Sequence, residues 1–72
     1  SGDLQALRQH YRLSLEGKPG RWQLRLEPSG GQIAERLRFV LVRGREDRVQ
    51  SVKTVEANGD FSLLEVKRDH GR

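Results

Sequence analysis

The sequence has no cysteine, no methionine and only two prolines among its 72 residues. Without cysteine it has no disulfide bonds, and two separated histidines, His10 and His70, are too few for a structural zinc site. No stretch approaches the roughly 18 apolar residues that a transmembrane helix needs. The usual means of stabilising a very small domain are therefore missing.

Apolar side chains are also scarce, at 33% of the chain. Ordering a chain costs on the order of 1.5 kcal/mol per residue, and this cost must be offset mainly by burial of apolar surface. We therefore expect residues 1–72 to be a single domain that dimerises, or the C-terminal fragment of a larger domain.

Charge is in excess on the basic side, with 14 Lys and Arg against 10 Asp and Glu. Such an excess can attract nucleic acid or anionic lipid, but the basic residues stand at single positions with acids between them, so we interpret them as solvated strand faces. Trp22 alternates in phase with Leu24 and Leu26, whereas Arg21 and Arg25 alternate in the opposite phase. The tryptophan that could stack on bases and the arginines that could contact phosphates would then lie on opposite sides of the sheet, so we expect no nucleic-acid partner.

Two alternating runs are joined by the turn residues 17–20. Tyr11, Leu13 and Leu15 alternate with polar residues in the first run, residues 11–16. The second run, residues 21–27, repeats the pattern with Trp22 and two leucines. Strict alternation predicts strands with one apolar and one polar face, and the turn predicts an antiparallel hairpin. Its apolar face must cover a core, a partner or a lipid.

The remaining chain continues as a meander. We predict a helix capped by Asp3 and ending near His10, a helical turn over 32–36, a tail over 68–72, and three further strands over 37–43, 48–56 and 61–67. The third strand is apolar on both faces, as in a strand buried on both sides. Valines three apart in the fourth predict a β-bulge near Ser51 or Lys53, and Asn58-Gly59 predicts a type I′ turn. The fold class is mainly β with short helices, a curved antiparallel sheet of about five strands.

Motifs for catalysis are absent from the sequence. His10, Ser14 and Asp60 are the residue types of a triad, but no nucleophile lies in a recognisable elbow motif. Glu56 and Asp60 flank the Asn58-Gly59 turn and could bind a cation, but an Asp at this position more commonly accepts hydrogen bonds from the turn backbone. Residues 29–31 lack the glycine spacing of a phosphate-binding loop. We expect no enzyme activity, no cofactor and no metal site.

An ordered set of motifs resembles one known family. The chain begins Gly-Asp-Leu-x-x-Leu, continues with Trp22-x-Leu24-x-Leu26-x-Pro28, and ends in a strand pair around residues 57–60. From about Gly2 to Val66, this order resembles the C-terminal half of the LolA-like superfamily of outer-membrane lipoprotein carriers. The resemblance implies an incomplete barrel, with helices against the concave apolar side of the sheet and a cavity between them that accepts acyl chains. The family's first strands and most of its helical lid have no counterpart here.

By the same resemblance, the protein is a non-enzymatic periplasmic carrier of lipoprotein acyl chains or another lipid, with inner- and outer-membrane proteins as transient partners. The apolar positions that would line the cavity, or pack as ordinary core against helices, are Tyr11, Leu13, Leu15, Trp22, Leu24, Leu26, Phe39 and Leu41. The alternative is a protein–protein interaction module, a homodimer formed through an open sheet edge or apolar face.

Overall fold

The computed structural model of the protein describes residues 2–67. Two short helices and five strands follow one another along the chain. In order, they are α1 (Gly2–His10), β1 (Tyr11–Lys18), β2 (Arg21–Pro28), α2 (Gly31–Arg36), β3 (Leu37–Arg45), β4 (Arg48–Glu56) and β5 (Phe61–Glu65).

The five strands form one antiparallel sheet in the order β1-β2-β3-β4-β5, so that each strand pairs with the next in sequence. The sheet is not closed into a barrel, and β1 and β5 form its two edges. The expected fold class, a mainly β meander of five strands with short helices, is confirmed.

The first hairpin is longer than the alternation predicted. Its pairing runs without a break from Tyr11 opposite Pro28 to Lys18 opposite Arg21. Only Pro19 and Gly20 remain between the paired strands.

Strand β3 lies in the middle of the sheet and extends to Arg45, two residues beyond the prediction. Its apolar centre, 39–42, is half-buried on both faces, and not fully buried as the pattern suggested. The register shifts in two places against β4, leaving Arg38 and Gln50 as extra residues. The predicted bulge in β4 therefore exists and lies at Gln50, one residue before Ser51.

The turn between β4 and β5 is not of type I′. That type needs a positive φ at both central residues, and Glu46 is the one non-glycine residue with a positive φ in the described chain. The Gly59 N–H donates to the Glu56 carbonyl, and the Glu56 N–H donates to the Asp60 carbonyl. Residues 57–59 thus form a three-residue loop that ends in a left-handed Gly59, φ 96°. Strand β5 ends at Glu65, and the expected tail over 68–72 lies outside the described residues.

The helices cover little of the sheet. Helix α1 begins at Gly2, so Asp3 lies in its first turn and does not precede it, and α1 contacts mainly β1. Helix α2 contacts β2 and β3. No hydrophobic side chain in the described part of the chain is buried, and Gly44 is its one buried residue. Within residues 2–67 the fold is a single sheet layer without a closed core.

Candidate functional site

One face of the sheet is apolar across all five strands. Residues directly opposite each other on neighbouring strands share a face, so the strand pairing shows which residues belong to each face. Rows such as Leu15–Leu24–Val42–Val52–Leu64 cross the whole sheet. The apolar residues of this face, which we call the apolar face, are Tyr11, Leu13, Leu15, Trp22, Leu24, Leu26, Val40, Val42, Val49, Val52 and Leu64. Thr54, Ser62 and the strand-end Glu56 lie on the same side.

Six of the eight candidate positions from the sequence lie on this face, namely those in β1 and β2. Phe39 and Leu41 lie on the opposite face, because Leu41 pairs with Arg25 and Phe39 pairs with Val55. Val40 and Val42 occupy the apolar face in their place. Since β3 is apolar at four successive positions, its sequence contains no alternation that would have shown which residues point which way.

The apolar face is half-buried in its middle and open at its edges. Residues of the central strands, such as Leu24 and Val42, are of intermediate exposure, whereas Leu15 on β1 is 70% exposed and Leu64 on β5 is 63% exposed. Exposed apolar surface of this extent on a soluble protein typically marks a binding site. The geometry therefore provides a broad apolar platform for a ligand or partner.

Trp22 closes one end of this platform. Its ring lies so close to Gly44, the residue opposite, that no side chain fits there. The indole Nε1–H donates to the Glu46 carbonyl at 2.8 Å, and the Glu46 N–H donates to the Pro19 carbonyl at 2.6 Å. These bonds join the β1–β2 turn to the β3–β4 turn, and they place the one tryptophan of the chain on the apolar face, half-buried.

The opposite face is basic. The same pairing places on it eight cations and three carboxylates: Arg12, Lys18, Arg21, Arg25, Arg43, Arg45, Arg48 and Lys53 with Glu16, Glu27 and Glu65. These residues are separated in the sequence, so the alternation indicated a polar side for Arg21 and Arg25 but not a continuous basic surface. Alternation and register bring them to one side, which we call the basic face.

Specific contacts organise the centre of the basic face. Arg25 donates to Glu27 at 2.9 Å and lies 3.9 Å from the centre of the Phe39 ring. Arg12 reaches the same carboxylate at 3.4 Å. Lys53 lies 5.1 Å from the centre of the Phe61 ring. These are favourable cation–aromatic distances, and Arg25 holds its position over Phe39 through two bonds to Glu27.

Groups for catalysis are not brought together. His10 and Ser14 lie at the β1 edge, whereas Asp60 precedes β5 at the other edge. Asp60 takes part in its own turn, where its N–H donates to Asn58 Oδ1 at 2.9 Å. The described residues contain no cluster of three metal-binding side chains. None of their helices is long and apolar enough to cross a membrane.

Comparison with known protein families finds a match. The sequence model of the family described as "Outer membrane lipoprotein carrier protein LolA-like" matches residues 1–66, nearly the whole chain. No curated protein matches this sequence significantly.

Proposed function

Because the chain belongs to the LolA-like family of outer membrane lipoprotein carrier proteins, we propose that it is a non-enzymatic periplasmic carrier module whose apolar face binds acyl chains. The acyl chains are those of a lipoprotein or of another lipid. The observation that supports this proposal is the apolar face itself, which crosses all five strands and is exposed at its edges and half-buried in its middle.

The dimensions and energetics suit such a ligand. Strands of eight residues, such as β1 and β2, extend over about 26 Å, long enough for an extended acyl chain to lie along them. Each methylene transferred from water to an apolar surface contributes about 0.8 kcal/mol. Apolar side chains predominate on this face, where Thr54 and Ser62 are the hydroxyl residues that the pairing includes, so it can accept chains of different lengths.

Two adjacent leucines of β5 test the proposal. Leu64 lies on the apolar face and Leu63 on the basic face, with exposures of 63% and 55%. Leu64→Gln should weaken the binding of a fluorescent fatty acid about tenfold, if roughly 50 Å² of apolar contact is lost. Leu63→Gln is the matched control and should leave the affinity unchanged. Leu15→Gln, at the other edge of the apolar face, should behave like Leu64→Gln.

Equal losses in the Leu63 and Leu64 variants would show that the fatty acid does not distinguish the faces. Absence of saturable binding to the unmodified protein would also contradict the proposal. Circular dichroism of each variant checks that the sheet is retained. Exposed leucines are suited to this test because their replacement removes no buried contact.

A second candidate function follows from the sheet edges. In the described residues β1 and β5 each pair on one side only, and an unpaired edge is a template for another strand. We propose as the alternative an interaction module that forms a homodimer. Sedimentation velocity over a dilution series, with and without fatty acid, separates the two functions. A ligand-free dimer that persists with fatty acid favours the alternative, whereas a monomer that binds the fatty acid favours the carrier.

A further inference from the structure

The basic face carries more positive charge than its own carboxylates neutralise. Glu27 forms an ion pair with Arg12 and another with Arg25, and these are the two ion pairs found within the described residues. The cations at the turn end of the sheet take part in neither. Since all eight of these cations lie on one side and the pairing places Glu56, at a strand end, on the other, the charge of the sheet is distributed asymmetrically between its two sides.

Four of these cations form like-charged pairs. Lys18 lies directly opposite Arg21 beside one turn, and Arg45 lies directly opposite Arg48 beside another. The two turns are at the same end of the sheet, joined by the bond from Glu46 to Pro19. Like charges directly opposite each other on neighbouring strands are destabilising, and an anionic surface would relieve that repulsion.

Exposed apolar side chains lie on the same face. Phe61 is 65% exposed and Leu63 is 55% exposed, and the Lys53 ammonium lies 5.1 Å from the Phe61 ring. Cations combined with an exposed aromatic and an exposed aliphatic side chain are typical of surfaces that bind at the headgroup level of a bilayer. Proteins that bind single-stranded nucleic acid usually offer several exposed aromatic rings on which bases stack. On this face the Phe39 ring is already covered by Arg25.

We propose that the basic face docks on a bilayer surface that carries anionic headgroups. The arginines and lysines contact the lipid phosphates, while Phe61 and Leu63 enter the interface. This docking uses the side of the sheet opposite the apolar face, so it stands or falls independently of acyl-chain binding.

Cosedimentation with vesicles tests the proposal on residues 1–72. Vesicles of phosphatidylcholine that contain phosphatidylglycerol should bind the protein, and vesicles of phosphatidylcholine alone should not. Raising the salt from about 0.05 M to about 0.5 M should release it, because the Debye length falls several-fold. Lys53→Gln and Arg43→Gln should each lower the partition coefficient about fivefold, and Phe61→Ser should lower it at every salt concentration.

Two variants serve as controls. Arg36→Gln removes one charge from α2, where Arg36 lies beside Gln32, Ile33 and Glu35, and Leu64→Gln alters the apolar face; both should bind the anionic vesicles like the unmodified protein. Circular dichroism verifies that every variant keeps its sheet. Equal binding to both vesicle types would overturn the proposal, as would equal losses in the Arg36 and Lys53 variants. Tighter binding to a single-stranded oligonucleotide than to the anionic vesicles would also overturn it.

Discussion

Replacing Gly44 by alanine would place a methyl group where the Trp22 ring now lies. A Cβ at this position collides with the ring, and it also comes within 2.5 Å of the Arg48 carbonyl oxygen. The backbone carbonyl cannot move without disturbing the β3–β4 pairing, so the indole has to leave. The bond from its Nε1 to the Glu46 carbonyl, 2.8 Å long, is then lost.

The expected cost is the sum of two effects. Overpacking of this kind typically costs about 1–3 kcal/mol, and loss of a hydrogen bond costs about 1 kcal/mol. Gly44→Ala should therefore lower the free energy of unfolding by about 2–4 kcal/mol. For a small domain this is a large part of the total stability.

Urea unfolding, monitored by circular dichroism so that variants without Trp22 can be followed as well, measures this cost. Gly20→Ala is the matched control, since a Cβ at Gly20 meets no atom within 4 Å, and it should leave the stability nearly unchanged. In the folded Gly44→Ala protein, the fluorescence emission of Trp22 should also shift to longer wavelength as the indole becomes more exposed.

A double-mutant cycle keeps the test informative if Gly44→Ala alone fails to fold. In a Trp22→Leu background the ring is gone, so the added methyl should cost less than in the original protein, although the Arg48 carbonyl still opposes it. Equal costs in both backgrounds, or an unchanged unfolding midpoint in Gly44→Ala, would refute the packing of Trp22 on Gly44.

Substitutions at two other positions should change the free energy of unfolding by different amounts. Gly59→Val should lower the free energy of unfolding by about 1–2 kcal/mol, because Gly59 has a φ of 96° and a β-branched residue is strained there; an unchanged melting temperature would contradict the left-handed conformation. Glu27→Gln should cost less than about 1 kcal/mol, because its ion pairs with Arg12 and Arg25 are partly exposed and screened by solvent. A larger loss, or one that persists in high salt, would show that these three residues act as a network.

Alternation predicted the first hairpin well because its two faces differ in polarity. Leu13 and Leu15 face Leu26 and Leu24 across the pair, and their polar neighbours all point to the other side. Where one face is apolar and the other polar, the period of two defines both the strand and the side chains that belong together.

The same reasoning failed to orient β3. Phe39 and Leu41 are as apolar as Val40 and Val42, so only the pairing with β2 shows that Leu41 lies opposite Arg25. The extent of the basic face was not predicted, for a related reason. Its cations come from four strands, and the extra residues Arg38 and Gln50 shift the register between β3 and β4. Neither shift can be placed from one sequence with the accuracy that assigning faces requires.

Turn chemistry was predicted in part. The Asn58-Gly59 pair correctly indicates a reversal, but glycine at positive φ suits both a two-residue type I′ turn and a three-residue loop that ends in a left-handed glycine. The strand ends decide between the two, and Glu56 bonding to Asp60 selects the longer loop. The helix over 32–36 was predicted within one residue of its start, Gly31.

Binding of acyl chains to the apolar face is the central claim, and quenching of Trp22 by brominated fatty acid tests it most directly. Trp22 is the one tryptophan in the chain and lies on that face, and bromine quenches only at close range. We predict saturable quenching by the brominated fatty acid, none by its unbrominated form, and a weaker effect in Leu64→Gln than in Leu63→Gln. Binding of the brominated fatty acid without quenching of Trp22 would contradict the claim, because the acyl chain would then lie elsewhere.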